Sequence, residues 1–254
     1  MKTLLSRIRA ISPALYYCGL GHLVLMALML VVAQFDHRQL VGINLWIKPI
    51  KFSISIAIYS LTWPLFLQYL PYERLKKRFV NFTVFAMVFE MVAIATQAAR
   101  GELSHFNTSS PYNGVLFSLM GLVIVSQTLF ALYMSFMFFK VKAQQITPAL
   151  LWAIRLGTIM AAVFALEGGL MASRLAHTVG AADGGAGLPL FNWSIIAGDL
   201  RVAHFMGLHA LQIVPLFVVF TGTKKARAVI VFSAVYFVLV SFMFYNAMLG
   251  RPVF

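Results

Sequence analysis

Seven long apolar segments, separated by short polar ones, constrain the fold of this chain more than any other feature. Each has about 20 residues, the length that a helix needs to cross a bilayer core of about 30 Å. Lone strands cannot satisfy their backbone groups in lipid, and the segments lack the alternation of barrel strands. The sequence therefore predicts an all-α, polytopic transmembrane helix bundle that forms one domain over residues 1–254. The predicted spans are 13–34, 51–70, 79–99, 114–139, 149–172, 202–220 and 228–249.

Composition supports a membrane protein, and this changes how the high positive net charge is interpreted. The chain is 61% hydrophobic and 11% charged, more apolar surface than a soluble domain could hide. A formal net charge of +13 would suggest nucleic acid in a soluble protein. Here most Lys and Arg residues lie in short loops, which is typical of cytoplasmic loops beside anionic lipid. We therefore predict the lipid bilayer, and no nucleic acid, as a partner; the sequence leaves the oligomeric state open.

Alternate loops differ in basic residues, and this difference predicts the orientation. The positive-inside rule places the richer loops, and with them the N-terminus, in the cytoplasm and the C-terminus outside. The loops that contain Arg38 and Lys48, Arg100, and Arg174 and Arg201 are poorer in basic residues and would face outward. The basic residues of the richer loops are Lys2, Arg7, Arg9, Arg74, Lys76, Lys77, Arg78, Lys140, Lys142, Lys224, Lys225 and Arg227.

Glu90 and His209 interrupt two of the predicted spans and form the centre of the predicted site. Ionisable groups inside a membrane are costly and usually mark a function. Both residues lie about 13 Å from the predicted outer end of their helices, counted by helix rise. If the helices touch, the carboxylate would fix the imidazole tautomer and relay protons. We predict this pair as catalytic. The alternatives are a purely structural pair, or a Glu90 that is simply protonated because it is desolvated.

Further polar residues gather on the predicted outer side. We predict that they bind a small molecule in a pocket that opens outward above an apolar cytoplasmic half. The bland alternatives are interfacial anchoring for Lys48 and Lys51, and a solvent-bridged pair with Arg174 for Glu167. The predicted ligand-binding residues are Lys48, Lys51, Gln97, Arg100, Glu102, Glu167, Asp199, Arg201 and Gln212.

Histidines could supply metal or haem ligands. His105, His204 and His209 are the predicted ligands, with His22 a further choice. His204 and His209 are five residues apart, about 140° around a helix, so each would need partners from another helix. The alternative is that these histidines only join helices by hydrogen bonds. The suspected cofactor is haem or a divalent metal.

Four stretches carry a resemblance to a known group of proteins. They are Trp-Ile-Lys-Pro-Ile-Lys-Phe at 46–52, residues 97–101 with 104–107, residues 176–180 with the glycine-rich run that follows, and 198–212. Together they resemble an uncharacterised family of bacterial multi-pass inner-membrane proteins. The resemblance implies a bacterial inner-membrane location and about seven spans, and it implies no established activity.

Three functions fit these features, and the sequence leaves open whether the protein is an enzyme. The first is redox or hydrolytic chemistry at a metal or haem in the outward-opening pocket. The second is a proton-coupled transporter, channel or receptor for a small polar or anionic solute. The third is a structural subunit of a membrane complex, in which the polar residues only hold helices together.

Overall fold

The computed structural model describes residues 3–141 and 146–254. Lys2 and Lys142, two of the basic loop residues above, lie outside this part of the chain. The chain divides into two compact units, Met1–Gln127 and Thr128–Phe254, and the boundary falls within a long helix. The single domain expected from the sequence stays a prediction.

Unit 1 is built from helices that follow the predicted spans, with one short hairpin. The helix α3 begins at Ile47, four residues before the predicted boundary, because Pro49 fits the first helical turn. The elements are α1 (Leu4–Ile11), α2 (Pro13–Phe35), β1 (Gln39–Leu40), β2 (Ile43–Asn44), α3 (Ile47–Leu67), α4 (Glu73–Arg100) and α5 (Pro111–Met137).

Sequence signals at the helix ends explain these boundaries. The Ser12 hydroxyl accepts a hydrogen bond from the Leu15 amide and caps α2, with Pro13 in its first turn. The helix α4 ends where Gly101 takes the left-handed conformation, with φ of 75°. Between α2 and α3, β1 pairs with β2 across a two-residue turn at Val41 and Gly42, both with positive φ.

The packing of α2 against α3 and of α3 against α4 forms the core of unit 1. Gly19 permits the closest approach, since a Cβ there would lie 2.8 Å from Leu61 Cγ and 3.3 Å from the Ala57 carbonyl oxygen. Further along α3, the Trp63 ring is buried 4.5 Å from the Phe79 ring of α4, centroid to centroid.

Unit 2 contains the rest of α5 and two helices that are broken where the sequence predicted single spans. A short antiparallel ladder joins Thr178–Val179 to Gly198–Asp199. The elements are α6 (Pro148–Ala165), α7 (Glu167–Arg174), β3 (Thr178–Val179), β4 (Gly198–Asp199), α8 (Leu200–Leu208), α9 (Ala210–Thr221) and α10 (Ala226–Met248).

Residues that weaken a helix lie near both breaks. After α6, Gly168 and Gly169 weaken the helix, and the Phe164 carbonyl oxygen bonds to His204 Nδ1 at 2.8 Å. The second break, at His209, turns α9 by 49° relative to α8. Within α9, Pro215 lacks the amide that would bond to the carbonyl four residues before it, so this helix is also weakened.

The membrane character of the fold is confirmed, although the number of spans is less definite than predicted. Within the described part of the chain, six helical segments are long and apolar enough to cross a membrane, and the bent pair of α8 and α9 is a seventh if counted as one span. The six are Pro13–Phe35, Ile47–Leu67, Glu73–Arg100, Pro111–Lys140, Pro148–Arg174 and Ala226–Met248.

Glycines bring backbones into contact throughout unit 2. A Cβ on Gly157 of α6 would lie 2.7 Å from the Ala210 carbonyl oxygen. A Cβ on Gly207 of α8 would overlap the Phe164 side chain, and one on Gly198 would overlap the Ala247 backbone of α10. Small residues at such contacts allow helices in lipid to approach closely.

We predict that Gly198→Ala destabilises the protein by about 1–3 kcal/mol, because the added methyl group meets a fixed carbonyl rather than a movable side chain. Thermal melting of the full chain in detergent would measure the loss. Gly121→Ala in α5 is the matched control, since its methyl group meets nothing within 4 Å. Equal melting temperatures for the two variants would contradict this description of the α10 contact.

Candidate functional site

The loop end of unit 1, which carries the loops 36–46 and 101–110, holds most of the predicted site residues. Lys48 and Lys51 lie in the first turns of α3, and Gln97 and Arg100 in the last turn of α4. Glu102 and His105 follow in the loop before α5.

Glu90 is the deepest acid of this end. It lies ten residues before the end of α4, about 15 Å along the helix. Its side chain is 4% exposed, and its Oε1 atom is buried without a hydrogen-bond partner among the described residues. The Lys48 ammonium lies close enough to attract the Glu90 carboxylate electrostatically. A buried acid with an unsatisfied oxygen is unusual, because burial removes the hydration that a carboxylate needs.

A cation and two rings connect the Glu90 neighbourhood with the 101–110 loop. The Lys48 Nζ atom is 5.9 Å from the Phe52 ring centroid, within the range of cation–π attraction. The Phe52 ring is in turn 5.6 Å from the His105 ring, centroid to centroid. Ser104 Oγ lies 3.1 Å from His105 Nδ1 and orients the imidazole. The structure thus brings together Glu90, Lys48 and His105, which the sequence had assigned to three different roles.

A network of amide side chains fixes the loop that carries His105. Gln97 Nε2 donates to Asn113 Oδ1 at 2.9 Å, and Arg100 Nη1 donates to Gln97 Oε1 at 2.6 Å. Glu102 Oε2 accepts hydrogen bonds from Asn107 Nδ2 at 2.9 Å and from Asn113 Nδ2 at 3.4 Å. Gln97 and Asn113 are almost fully buried. The predicted ligand residues therefore hold the loop, Arg100 through its bond to Gln97, and Gln97 and Glu102 through their bonds to Asn113.

Asp36 organises the other loop at this end. Its carboxylate accepts hydrogen bonds from Arg38 Nη2 at 2.7 Å and from Trp46 Nε1 at 3.0 Å. These bonds hold the pKa of the Asp36 carboxyl well below its usual range, with Arg38 making the larger contribution. Arg38 also donates to the Ala99 carbonyl oxygen at 3.1 Å and so ties this loop to α4.

Beyond Glu90, unit 1 carries buried polar groups where the sequence had suggested an apolar half. Gln127 Nε2 donates to Thr83 Oγ1 at 2.8 Å and to the Tyr59 hydroxyl at 3.1 Å. Gln127 Oε1 is buried without a partner in the described residues. A single amide in the middle of a charge-free apolar segment was a visible signal for this cluster, and sequence reasoning missed it.

These groups extend a polar stripe along one face of α4. Lys76, Thr83, Glu90 and Gln97 recur every seven residues, a spacing that keeps side chains on one face of a helix with about 20° of drift per repeat. Thr83, Glu90 and Gln97 are buried. Lys76 is half-buried and pairs with Glu73 at the start of the helix. The stripe therefore runs nearly the whole length of α4.

His22, the further metal choice, lies in α2 beside Cys18. His22 Nδ1 is 2.7 Å from the Cys18 carbonyl oxygen and 3.8 Å from Cys18 Sγ, and Ser60 Oγ donates to that sulfur at 3.6 Å. His22 Nε2 is buried without a hydrogen-bond partner in the described part of unit 1.

In unit 2, His204 and Glu167 lie at the break between α6 and α7. His204 Nδ1 bonds to the Phe164 carbonyl oxygen, as a residue that joins helices would. Glu167 is 8% exposed, and both its carboxylate oxygens are buried without a partner among the described residues. Glu167 therefore makes no direct ion pair with Arg174 in this structure.

His209 occupies the junction between α8 and α9. Its Nδ1 atom is 3.2 Å from Gln212 Oε1, and its ring is 4.4 Å from the Phe205 ring, centroid to centroid. Phe205 belongs to a cluster of rings with Phe191 and Trp193 from the preceding loop. His209 is half-buried, so it is less enclosed than the sequence suggested.

Asp199 and Arg201 hold the long loop of unit 2. Asp199 is 1% exposed and caps α8, while Arg201 Nη2 bonds to it at 2.6 Å. Earlier in the loop, Asp183 pairs with His177 at 2.8 Å. Burial raises the pKa of Asp183, but hydrogen bonds from His177 and Thr178 outweigh burial and place it below its usual range.

The predicted pair and the predicted metal ligands are divided between the units. Glu90, His22 and His105 belong to unit 1, and His204 and His209 to unit 2, so both groupings stay predictions. Among residues 3–141 and 146–254, no group of three or more His, Cys, Asp or Glu side chains is placed to hold a metal ion.

Comparison with known proteins adds no family or function. No protein-family model, no curated protein and no solved structure matches the chain.

We predict that Asp36→Asn makes stability less dependent on pH in the acid range. Because the folded pKa of Asp36 is depressed, its contribution is complete above the ordinary pKa of about 4 and is lost as pH falls through the folded value. The wild-type melting temperature should therefore fall more steeply than that of the variant between about pH 5 and pH 3. Parallel curves for the two proteins would contradict the assignment.

Proposed function

We propose that the chain is a multi-pass protein of the bacterial inner membrane that binds a small polar or anionic solute from the outer face. Binding is coupled to proton exchange at Glu90, as in a proton-coupled transporter or receptor. The proposed topology has seven spans, with α8 and α9 forming one broken span, the N-terminus in the cytoplasm and the C-terminus outside. The basic loops and the resemblance at 46–52 and 198–212 support this location.

The observation that carries the proposal is the environment of Glu90. A carboxylate buried in a membrane span needs compensation. Here one Glu90 oxygen has no hydrogen-bond partner within residues 3–141 and 146–254, while Lys48 attracts the carboxylate from α3. A structural carboxylate would be expected to have both oxygens bonded. An acid whose charge is only partly balanced is suited to gain and lose a proton as its surroundings change.

Lys48 and His105 give the site its proposed solute preference. Lys48 offers a positive charge at the start of α3, and His105 is the next titratable group towards the loop. A small anion approaching from the loop end would meet His105 and Lys48 before Glu90. The anion and the Glu90 carboxylate would then compete for Lys48, and protonation of Glu90 would release the cation to the anion.

The polar stripe of α4 favours transport over simple binding. Thr83 and its partner Gln127 continue the polar face beyond Glu90, towards Lys76 at the opposite end of the helix. Hydroxyl and amide groups buried in a span provide hydrogen-bond partners along a path through the membrane. The broken helices of unit 2 add support, because discontinuous spans recur at the binding sites of secondary transporters.

We predict that Glu90→Gln abolishes solute-driven proton movement. The full chain would be placed in liposomes with an entrapped pH dye, and phosphate, lactate, glycine and glycerol would be added in turn outside. The wild type should acidify the interior with at least one solute, because the proton carried by Glu90 enters with it. The variant should not, since an amide cannot exchange that proton.

Glu73→Gln is the matched control for this experiment. Glu73 is an acid of the same helix, and its side chain is 82% exposed at the opposite end. The Glu73→Gln variant should therefore move protons at the wild-type rate. The proposal would be contradicted if liposomes with Glu90→Gln acidified internally at the wild-type rate. It would also be contradicted if liposomes with the folded wild type responded to none of the four solutes.

We also predict an energetic coupling between Lys48 and Glu90 that needs no solute. Lys48→Gln should destabilise the wild type, because it leaves the Glu90 carboxylate without its neighbouring cation. It should cost less in the Glu90→Gln background, with a coupling of about 0.5–3 kcal/mol. Thermal melting of the four proteins gives this value, and additive effects would show that the two charges do not interact.

A further inference from the structure

A surface cavity lies where α1 meets α2, far along the chain from the residues of the proposed solute site. Its volume is about 490 Å³, and its lining consists of Ser6, Arg9, Ala10, Pro13 and Tyr17. The Arg9 guanidinium carbon is 5.7 Å from the Tyr17 ring centroid, so the ring holds the cation at the cavity wall. The cavity therefore combines one cation with the Tyr17 hydroxyl, while the Ser6 hydroxyl at its wall donates to the Thr3 carbonyl oxygen at 2.8 Å.

The charge around this cavity favours an anion. Residues 3–35 contain no Asp or Glu, and Arg7 adds a second cation to the same helix. Within the described part of the chain, the ion pairs involve other residues, so Arg9 keeps its guanidinium for an external partner. Arginine is well suited to phosphate because its planar donors match the phosphate oxygens.

An exposed apolar stripe begins at the cavity and runs along α2. Tyr17, Val24, Leu28 and Val31 follow one another at spacings that keep them on one face, and they are 54%, 61%, 58% and 59% exposed. Gly21 lies between the first two, and a Cβ there would meet nothing within 4 Å, which leaves a notch in the stripe. An acyl chain lying along α2 would fit this surface.

The helix α1 has the features of a helix that lies in the membrane interface. Ile8 is buried at 3% exposure and anchors α1 to the rest of unit 1. Leu4 and Leu5 are 58% and 47% exposed, next to the two arginines. Apolar and basic side chains together on a short helix are typical of binding to anionic lipid surfaces.

We propose that the junction of α1 and α2 is a binding site for one anionic phospholipid. Arg9 binds the lipid phosphate, the Tyr17 hydroxyl offers a hydrogen bond to the headgroup, and one acyl chain lies along the stripe from Tyr17 to Val31. We propose a lipid rather than a soluble phosphate ester as the ligand, because the cavity opens directly onto the apolar stripe.

Native mass spectrometry of the full chain with added lipid tests this site. The probes are dioleoylphosphatidylglycerol and dioleoylphosphatidylcholine, with glycerol 1-phosphate as a soluble competitor. The wild type should retain phosphatidylglycerol in preference, and glycerol 1-phosphate should not displace it. Arg9→Gln should weaken phosphatidylglycerol binding about fivefold, the effect of one basic side chain near a membrane surface. Arg9→Lys should weaken it less.

Arg7→Gln is the matched control, because Arg7 is an exposed arginine of the same helix that does not line the cavity. Arg7→Gln should weaken phosphatidylglycerol binding much less than Arg9→Gln does, because Arg7 does not line the cavity. Equal losses of phosphatidylglycerol binding for Arg7→Gln and Arg9→Gln would overturn the proposed site, because they would show that the overall charge of α1 attracts the lipid. Displacement by glycerol 1-phosphate would overturn the lipid assignment. Equal retention of both lipids by the wild type, a comparison that requires no variant, would overturn the proposal altogether.

Discussion

Every peptide group in a bilayer must find its hydrogen-bond partner within the protein, and this requirement shapes both units. Straight helices meet it internally, but broken or tightened helix ends leave carbonyl oxygens open. Here, side chains fill those positions. Arg155 Nε donates to the Phe138 carbonyl oxygen at 3.0 Å and its Nη2 donates to that of Val141 at 3.2 Å. His204 Nδ1 bonds to the Phe164 carbonyl oxygen in the same way.

This requirement separates the polar residues that build the fold from those that remain for function. Arg38, Arg155 and His204 bond to backbone carbonyls, and Arg201 bonds to Asp199. Each would attract attention as a charged or titratable group in an apolar sequence, yet each has a structural task. Glu90 and Glu167 differ, because among the described residues at least one of their carboxylate oxygens has no hydrogen-bond partner. Of the two, Glu90 also has the electrostatic attraction of a cation, Lys48. The functional proposal rests on that difference rather than on the presence of charge alone.

The sequence predicted the helices well because span length and apolar content depend on local composition. The α2 bounds agree with the predicted span to within one residue. The breaks at Leu166 and His209 were not predicted, since they depend on which side chain reaches an open carbonyl and on glycines that pack against a distant helix. The prediction of an apolar half also differs from the structure at Gln127, whose buried side-chain amide donates hydrogen bonds to Thr83 and Tyr59.

The predicted site residues stay predictions, and the structure shows which of them lie near one another. Glu90 and Lys48 were both chosen from the sequence, but as members of different groups, because the packing of α3 against α4 cannot be read from either helix alone. Gln97, Arg100 and Glu102 were predicted to bind a ligand, and this stays a prediction. In the structure Arg100 bonds to Gln97, and Gln97 and Glu102 both bond to Asn113.

The bond between His204 and the Phe164 carbonyl has a mechanical consequence for unit 2. It joins the end of α6 to α8 at the point where the helical hydrogen bonding after α6 is interrupted. Rotation of α8 about its axis would strain this hydrogen bond. In addition, Gly207 of α8 lies so close to the Phe164 side chain that a Cβ at this position would overlap it. A change in the angle at the break after α6 would therefore require α8 to move with it, or this hydrogen bond to break.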